Sequence, residues 1–319
     1  MHVLVVGAGA MGCLFGARFC AAGAHVLLLD VDIPHVKAIR DGGLRLQELD
    51  GQEKVLPIEA SSEPVAWDHP ADLVLVMVKS YATGQALQLV HSSNIGPRTL
   101  FLSLQNGMGN GENLARLVGR DRVLAGVTAQ GATKVGPGVI RHGGVGPTFF
   151  GSLSRSTPEE VSALLALFAK AGVEASYREN IQELLWQKLC VNVGINAVTA
   201  LCGISNGDVA ALEPARLLCE AAVREAMRVA RAEGVPLPED TVAHVLAVAH
   251  ATASNRSSMR QDIEAHRPTE IDAINGAVVH YAEKHGLTTP VNWTLVHLIK
   301  TKEATYGVSP SSGGTRHKN

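Results

Sequence analysis

Val3-Leu4-Val5-Val6-Gly7-Ala8-Gly9-Ala10-Met11-Gly12 opens the chain as four apolar residues running into the pattern G-x-G-x-x-G, and a helical pattern follows to about Gly23. Each glycine meets a separate mechanical demand where a strand turns into a helix around a pyrophosphate. Gly7 permits the tight turn, Gly9 lets a phosphate approach the backbone, and Gly12 lets helix and strand pack closely, with the helix N-terminus facing the anion. By itself the pattern also fits a glycine-rich turn. Its context decides, because it begins a βαβ unit and an acidic residue, Asp30, ends the second strand where a carboxylate meets ribose hydroxyls. Gly7, Ala8, Gly9, Ala10, Met11, Gly12 and Asp30 are therefore candidate dinucleotide-binding residues.

Outward from this turn, short β-branched runs alternate with helical stretches as far as Gly172, which predicts a mostly parallel sheet. The clearest strands are His2–Val6, His25–Leu29, Leu73–Val78, Thr99–Leu104 and Val123–Ala129. A hairpin turning at Val135-Gly136-Pro137-Gly138 is expected to close that sheet at one edge. After Val173 the apolar spacing becomes three and four residues, with few strand signals. Helices are predicted at Ile181–Leu201, Pro214–Glu233, Glu239–Ala253, Glu270–His285 and Val291–Thr305, with Gly234 and Gly286 as stops. The expected fold class is thus an α/β Rossmann N-terminal domain, residues 1–172, followed by an all-α C-terminal domain, residues 173–308, with a loose tail from 309 to 319.

At 319 residues the chain is longer than one hydrophobic core usually serves, in keeping with two domains. Its 28 basic and 30 acidic residues are interspersed, so the electrostatic footprint of a nucleic-acid binder is missing and a small-molecule partner is expected. Cys13, Cys20, Cys190, Cys202 and Cys219 form no C-x-x-C pair and no zinc spacing, which predicts reduced thiols serving as small core residues in the cytoplasm. The N-terminus lacks a basic segment ahead of its apolar run, arguing against a secretory signal, and no apolar run reads as long enough to cross a bilayer. No membrane partner is expected.

Three features carry chemistry. Lys79 and Asn106-Gly107 follow the strands Leu73–Val78 and Thr99–Leu104, at the carboxyl ends where parallel sheets bind ligands; a solvated loop lysine and an ordinary turn fit the same residues equally well. Lys188, Asn192 and Asn196 stand at four-residue steps on one face of an otherwise apolar helix, a stripe that faces either solvent or a cleft. Asparagine is a poor choice for a merely solvated helix face, and a partly desolvated lysine beside neutral amides suits a general acid. In Asn255-Arg256-Ser257-Ser258-Met259, a helical reading would put Asn255 and Ser258 on one face, but a polar loop between helices is the favoured reading.

These residues resemble the ketopantoate reductase family over Met1 to about Tyr306. The likeness rests on Gly7-Ala8-Gly9-Ala10-Met11-Gly12, Val78-Lys79, Gln105-Asn106-Gly107-Met108-Gly109, Gly136-Pro137-Gly138, Trp186-Gln187-Lys188-Leu189 with Asn192 and Asn196, Asn206-Gly207, Asn255-Arg256-Ser257-Ser258-Met259 and Thr269-Glu270-Ile271-Asp272. The resemblance implies reduction of 2-dehydropantoate to (R)-pantoate in pantothenate biosynthesis. It implies Lys188 as proton donor, Asn106 touching both cofactor and substrate, and Asn192, Asn196, Asn206, Asn255 and Ser258 as substrate-binding. Lys79, Ala132 and Glu270 would line the cofactor side, and Glu225 looks like a further family carboxylate. No metal is implied, and a homodimer is left open.

Two other functions fit parts of the pattern. An NADH-dependent D-2-hydroxyacid dehydrogenase of the same superfamily would share the lysine and the asparagines and differ in its pocket lining. A non-catalytic redox sensor would bind dinucleotide but needs no proton donor, so Lys188 argues against it. The family habit is NADPH, commonly with an arginine after the second strand. Here Leu28-Leu29-Asp30-Val31-Asp32 offers acids instead, which favours NADH unless Lys37 or Arg40 reaches back to a 2′-phosphate.

Overall fold

The computed structural model describes residues 1–154 and 157–306; the expected tail at 309–319 lies outside the described residues. The chain runs β1 His2–Val6, α1 Ala10–Ala21, β2 His25–Leu29, α2 Ile33–Gly42, β3 Leu44–Gln47, β4 Glu53–Leu56, β5 Glu59–Ser61, β6 Leu73–Val76, α3 Thr83–Leu87, β7 Leu100–Ser103, α4 Asn110–Val118 and β8 Val123–Thr128. It continues with β9 Gly131–Gly136, β10 Val139–Gly144, β11 Thr148–Ser152, α5 Pro158–Lys170 and β12 Ala175–Tyr177. Helices follow: α6 Gln182–Cys202, α7 Asn206–Ala211, α8 Glu213–Ala232, α9 Thr241–Ala251, α10 Ser258–Glu264, α11 Asn275–Lys284 and α12 Pro290–Ala304.

Eight strands form one sheet in the order β12-β11-β8-β7-β6-β1-β2-β5, parallel throughout except where β11 runs against β8. Successive side chains on a strand point to opposite faces, so the continuous apolar runs serve two cores at once. Val3, Val5, Leu28, Leu73, Leu75 and Leu102 meet Leu14, Phe15 and Phe19 of α1 and Leu167 and Phe168 of α5. Leu4, Val6, Leu27, Val74, Val76 and Phe101 meet Ala86 of α3 and Leu114 of α4 on the other face. Helices on both faces make the domain doubly wound, and the strand order reverses at β1, between β2 on one side and β6 on the other.

The expected hairpin exists, turning at Pro137 and Gly138, but it does not close the main sheet. β10 instead runs parallel to β3, Val139 opposite Arg45, in a separate four-stranded sheet ordered β4-β3-β10-β9. The β3–β4 hairpin was not anticipated, because Leu44-Arg45-Leu46-Gln47 is too short and too charged in its surroundings to read as a strand alone. β11 and β12 occupy the edge assigned to the hairpin.

The chain divides into two compact units, residues 1–189 with 235–237, and residues 190–234 with 238–319, so the division falls inside α6. The second unit is helical, as expected. The largest departures from the sequence reading are that α11 begins at Asn275, because residues 271–274 form turns, and that the short helices α7 and α10 were not expected. α6 also corrects the view that no apolar run could span a bilayer. By length and composition it qualifies, yet most of its apolar window is buried within the protein, as in a core helix. Cys13, Cys190 and Cys219 are buried, Cys20 is half-buried and Cys202 is exposed, so the reading of all five as core residues holds for the first three.

Candidate active site

Five neighbouring parallel strands, β8-β7-β6-β1-β2, place candidate residues in a row at their carboxyl ends. With strands about 4.8 Å apart, the row extends over roughly 19 Å. It includes the reversal of strand order at β1, where open α/β sheets bind ligands.

At the end of β1, Gly7 adopts φ +103° and its N–H donates to the Leu29 carbonyl at 2.8 Å. A Cβ on Gly7 would sit 2.7 Å from Val78 N, and one on Gly12 would sit 1.9 Å from Gly7 O, whereas Gly9 has open space where a Cβ would be. No side chain caps the start of α1, whose N-cap is Gly9 itself. An open glycine beside an uncapped helix N-terminus is the geometry that a pyrophosphate fills.

A buried relay braces the turn from behind. Gly138 N–H donates to His35 Nδ1 at 2.9 Å, so the ring hydrogen resides on Nε2, which lies 3.4 Å from Cys13 Sγ; the thiol in turn donates to the Ala8 carbonyl at 3.1 Å. Burial pushes the Cys13 thiol far above its ordinary range and pulls His35 down, so both remain neutral. Neither residue stood out in the sequence; a polar pair at helix positions that pack under a glycine turn leaves no local signature.

At the end of β2, Asp30 N–H donates to the Ser61 carbonyl and Asp30 Oδ1 accepts from Asp32 N at 3.0 Å. Asp32 caps α2 by accepting from His35 N, and its other oxygen accepts from Lys134 Nζ at 2.7 Å, the bond that holds its carboxyl below the usual range. Lys37 and Arg40 pair instead with Asp41 in the last turn of α2, away from the strand end.

On the other side of β1, Lys79 caps the 3-10 turn Ser80–Ala82 beyond β6. Buried Gln105, after β7, donates to the Val78 carbonyl at 2.8 Å and to Thr83 Oγ1 at 2.9 Å, tying the ends of β6 and β7 together. Asn106 follows, its carbonyl accepting from Asn110 Nδ2, and Gly107 and Gly109 at φ +87° and +81° allow the chain to turn into α4. Ala132 lies half-buried on β9, packed against the core around α1. At the end of β8, the Thr128 carbonyl accepts from Lys188 Nζ at 3.0 Å. Lys188 thus groups with the sheet-bearing unit, whereas the change of pattern after Val173 had put it with the helical half.

Asn192 and Asn196 follow Lys188 along α6 at one-turn steps, as expected. In the helical unit, Asn206 N donates to the Asn255 carbonyl at 3.0 Å and Asn206 Nδ2 donates to Thr252 Oγ1 at 3.0 Å. Gly207 has no room for a Cβ, which would come 2.6 Å from that of Ala253. Thr199 of α6 shares a 2.7 Å hydrogen bond with Ser257, which also caps α10, and exposed Ser258 is the first residue of that helix. Asn255 lies in a polar loop, as the favoured reading had it, and Ser258 begins the helix that follows, so the two do not share a helix face. Asn192 Nδ2 and Asn206 Oδ1 are buried without a hydrogen-bond partner among the described residues, an expensive condition that a ligand oxygen or hydroxyl would relieve. Glu270 is buried.

Glu225 is explained by the helical packing. Its carboxylate accepts from Val291 N, Asn292 N and Asn292 Nδ2 at 2.8–3.0 Å, capping α12, while Asn275 donates to Asn292 Oδ1 and to the Val193 carbonyl on α6. Among the described residues no cluster of side chains is set to hold a metal ion.

Residues 3–155 match the family described as ketopantoate reductase PanE/ApbA and residues 180–303 its C-terminal part. The 2-dehydropantoate 2-reductase of Halobacterium salinarum is 40% identical over 94% of this chain and 98% of its own length. A PanE/ApbA family ketopantoate reductase of Ralstonia eutropha superposes with TM-score 0.88 at 33% identity, covering 96% of this chain and 99% of that one. D-mandelate dehydrogenase, solved with NADH and anilino(oxo)acetate, gives TM-score 0.88 at 28% identity over 97% of this chain and 100% of its own. Motifs, strand-end geometry and these likenesses over nearly the full length agree: the chain belongs to the ketopantoate reductase family.

Proposed function

We propose that this protein reduces the C2 carbonyl of 2-dehydropantoate to give (R)-pantoate, using a nicotinamide dinucleotide held at the row of strand ends. The observation that carries the reading is Lys188 Nζ bonded to the Thr128 carbonyl, with Asn192 and Asn196 at the next two turns of the same helix. A bound reduced nicotinamide supplies the hydride. Reduction leaves an alkoxide, and Lys188 Nζ, oriented by Thr128 O, delivers the proton that neutralises it. The amides of Asn192, Asn196 and Asn206, with Asn255 and the Ser258 hydroxyl, hold the substrate's carboxylate and hydroxyl. Gly7 to Gly12, Asp30, Lys79, Asn106, Ala132 and Glu270 serve the dinucleotide. Unpaired thiols suit the reducing cytoplasm.

A second reading, a D-2-hydroxyacid dehydrogenase, is favoured by the likeness to D-mandelate dehydrogenase. A spectrophotometric screen of 2-keto acids separates the two. Highest kcat/KM for ketopantoate supports the first reading; highest kcat/KM for phenylglyoxylate or another branched-chain 2-keto acid supports the second, and turnover of none would overturn both.

The preferred coenzyme is NADH. Asp30 stands where a ribose diol donates to a carboxylate, and a 2′-phosphate there meets like charge. Like charges about 4 Å apart near a surface cost roughly 1 to 4 kcal/mol, or about ten- to thousandfold in preference. Asp30→Ala is expected to narrow the gap between the two coenzymes, read as the ratio of their kcat/KM values. A wild-type preference for NADPH would show this assignment of Asp30 to be mistaken.

A further inference from the structure

We propose that Lys134 is a coenzyme-specificity determinant: paired with Asp32 beside Asp30, it sets how strongly the protein rejects a phosphate on the adenosine ribose. The inference rests on the reading that the ribose lies at Asp30. Lys134 belongs to β9, in the smaller sheet, and lies 102 positions from Asp32 in sequence, yet its ammonium closes on Asp32 Oδ2 at 2.7 Å. The backbone N–H of Asp32 is bonded to Asp30 Oδ1, so the three charges share one corner of the site. The fields of Asp30 and Lys134 both reach Cys13, beneath the glycine turn.

The charge count decides the direction. Two carboxylates and one ammonium leave the corner with one net negative charge, which disfavours a doubly charged phosphate and tolerates a hydroxyl. The Lys134 and Asp32 side chains are 39% and 37% exposed, so their pair is weakly held and a phosphate can compete with Asp32 for the lysine. Lys134 therefore moderates the rejection that Asp30 and Asp32 impose. Removing it leaves two negative charges; neutralising Asp32 leaves none and releases the lysine. Asparagine is as good a helix N-cap as aspartate, so Asp32→Asn keeps the start of α2 intact.

The test is calorimetric titration of the full-length protein with NADH and NADPH, read as the ratio Kd(NADPH)/Kd(NADH). Lys134→Gln is expected to raise the ratio about tenfold, Asp32→Asn to lower it about tenfold, and adding Lys134→Gln to Asp32→Asn to cancel that gain. A ratio within twofold of the wild type in both single variants would overturn the proposal. Asp30→Ala in the same titration keeps the underlying reading separate. If Asp30→Ala leaves the ratio unmoved while Lys134→Gln raises it, the ribose has been assigned to the wrong carboxylate and the lysine's role stands. If Asp30→Ala moves it and Lys134→Gln does not, the reading stands and the lysine is a bystander.

Discussion

Lys188→Ala lowers kcat by roughly two to four orders of magnitude while the Kd for the dinucleotide changes little, the span usual for removing a positioned proton donor. The separation follows from where Lys188 lies. Its ammonium is anchored at the end of β8, while the turn assigned to the pyrophosphate is at the end of β1, with β7 and β6 between them. Truncation leaves the Thr128 carbonyl without this donor, a loss of about 1 kcal/mol that does not endanger a unit with two extensive cores. Partial rescue by added small alkylamines would identify the missing function as proton delivery. Wild-type turnover of ketopantoate by the variant would remove Lys188 from the mechanism.

Gly12→Ala is expected to weaken dinucleotide binding by at least about a hundredfold and to destabilise the protein by roughly 1 to 3 kcal/mol, as overpacking does. The new Cβ would fall 1.9 Å from the Gly7 carbonyl oxygen and 3.2 Å from a Val5 methyl, so backbone must move. The atom it strikes belongs to a residue that is itself confined by Val78. Gly9→Ala provides the contrast: its Cβ meets nothing within 4 Å, so thermal stability is retained, but the methyl occupies the approach of the phosphate and affinity falls. Equal melting temperatures and equal dinucleotide Kd values for wild type and Gly12→Ala would refute this account of the turn.

The strength of the sequence reading and its gaps have the same origin. β1, β2, β6, β7 and β8 are buried on both faces, so their apolar runs announce themselves, and the glycine turn is legible because Gly7 and Gly12 leave no room for a Cβ and Gly9 leaves the approach to the backbone open. Lys188, Asn192 and Asn196 were legible as a stripe because helix periodicity is local. What escaped is the β3–β4 hairpin, local but built of short, partly exposed strands, and the long-range joining of β10 to β3 instead of to the main sheet. Lys134 meeting Asp32, His35 meeting Cys13 and Gly138, and Glu225 capping α12 all join residues distant in sequence, and no local spacing encodes them. The loop at Asn255 was legible from its polar composition, whereas the helix that begins at Ser258 was not, because a polar loop and the first turn of a helix share the same composition.

The position of β1 has a consequence for how the protein emerges from the ribosome. Its neighbours are β2, which begins at His25, and β6, which begins at Leu73, and beyond β8 the sheet is completed only by β11 and β12, ending at Tyr177. Val3 to Val6, buried in the folded sheet, therefore has one unpaired edge until Val76 has been synthesised. Pairings this distant in sequence are slow to form, and unpaired apolar strand edges attract other chains. The dinucleotide turn is therefore made before its scaffold, which is finished more than a hundred residues later at Tyr177, and the apolar edge of β1 stays open to other chains over that interval.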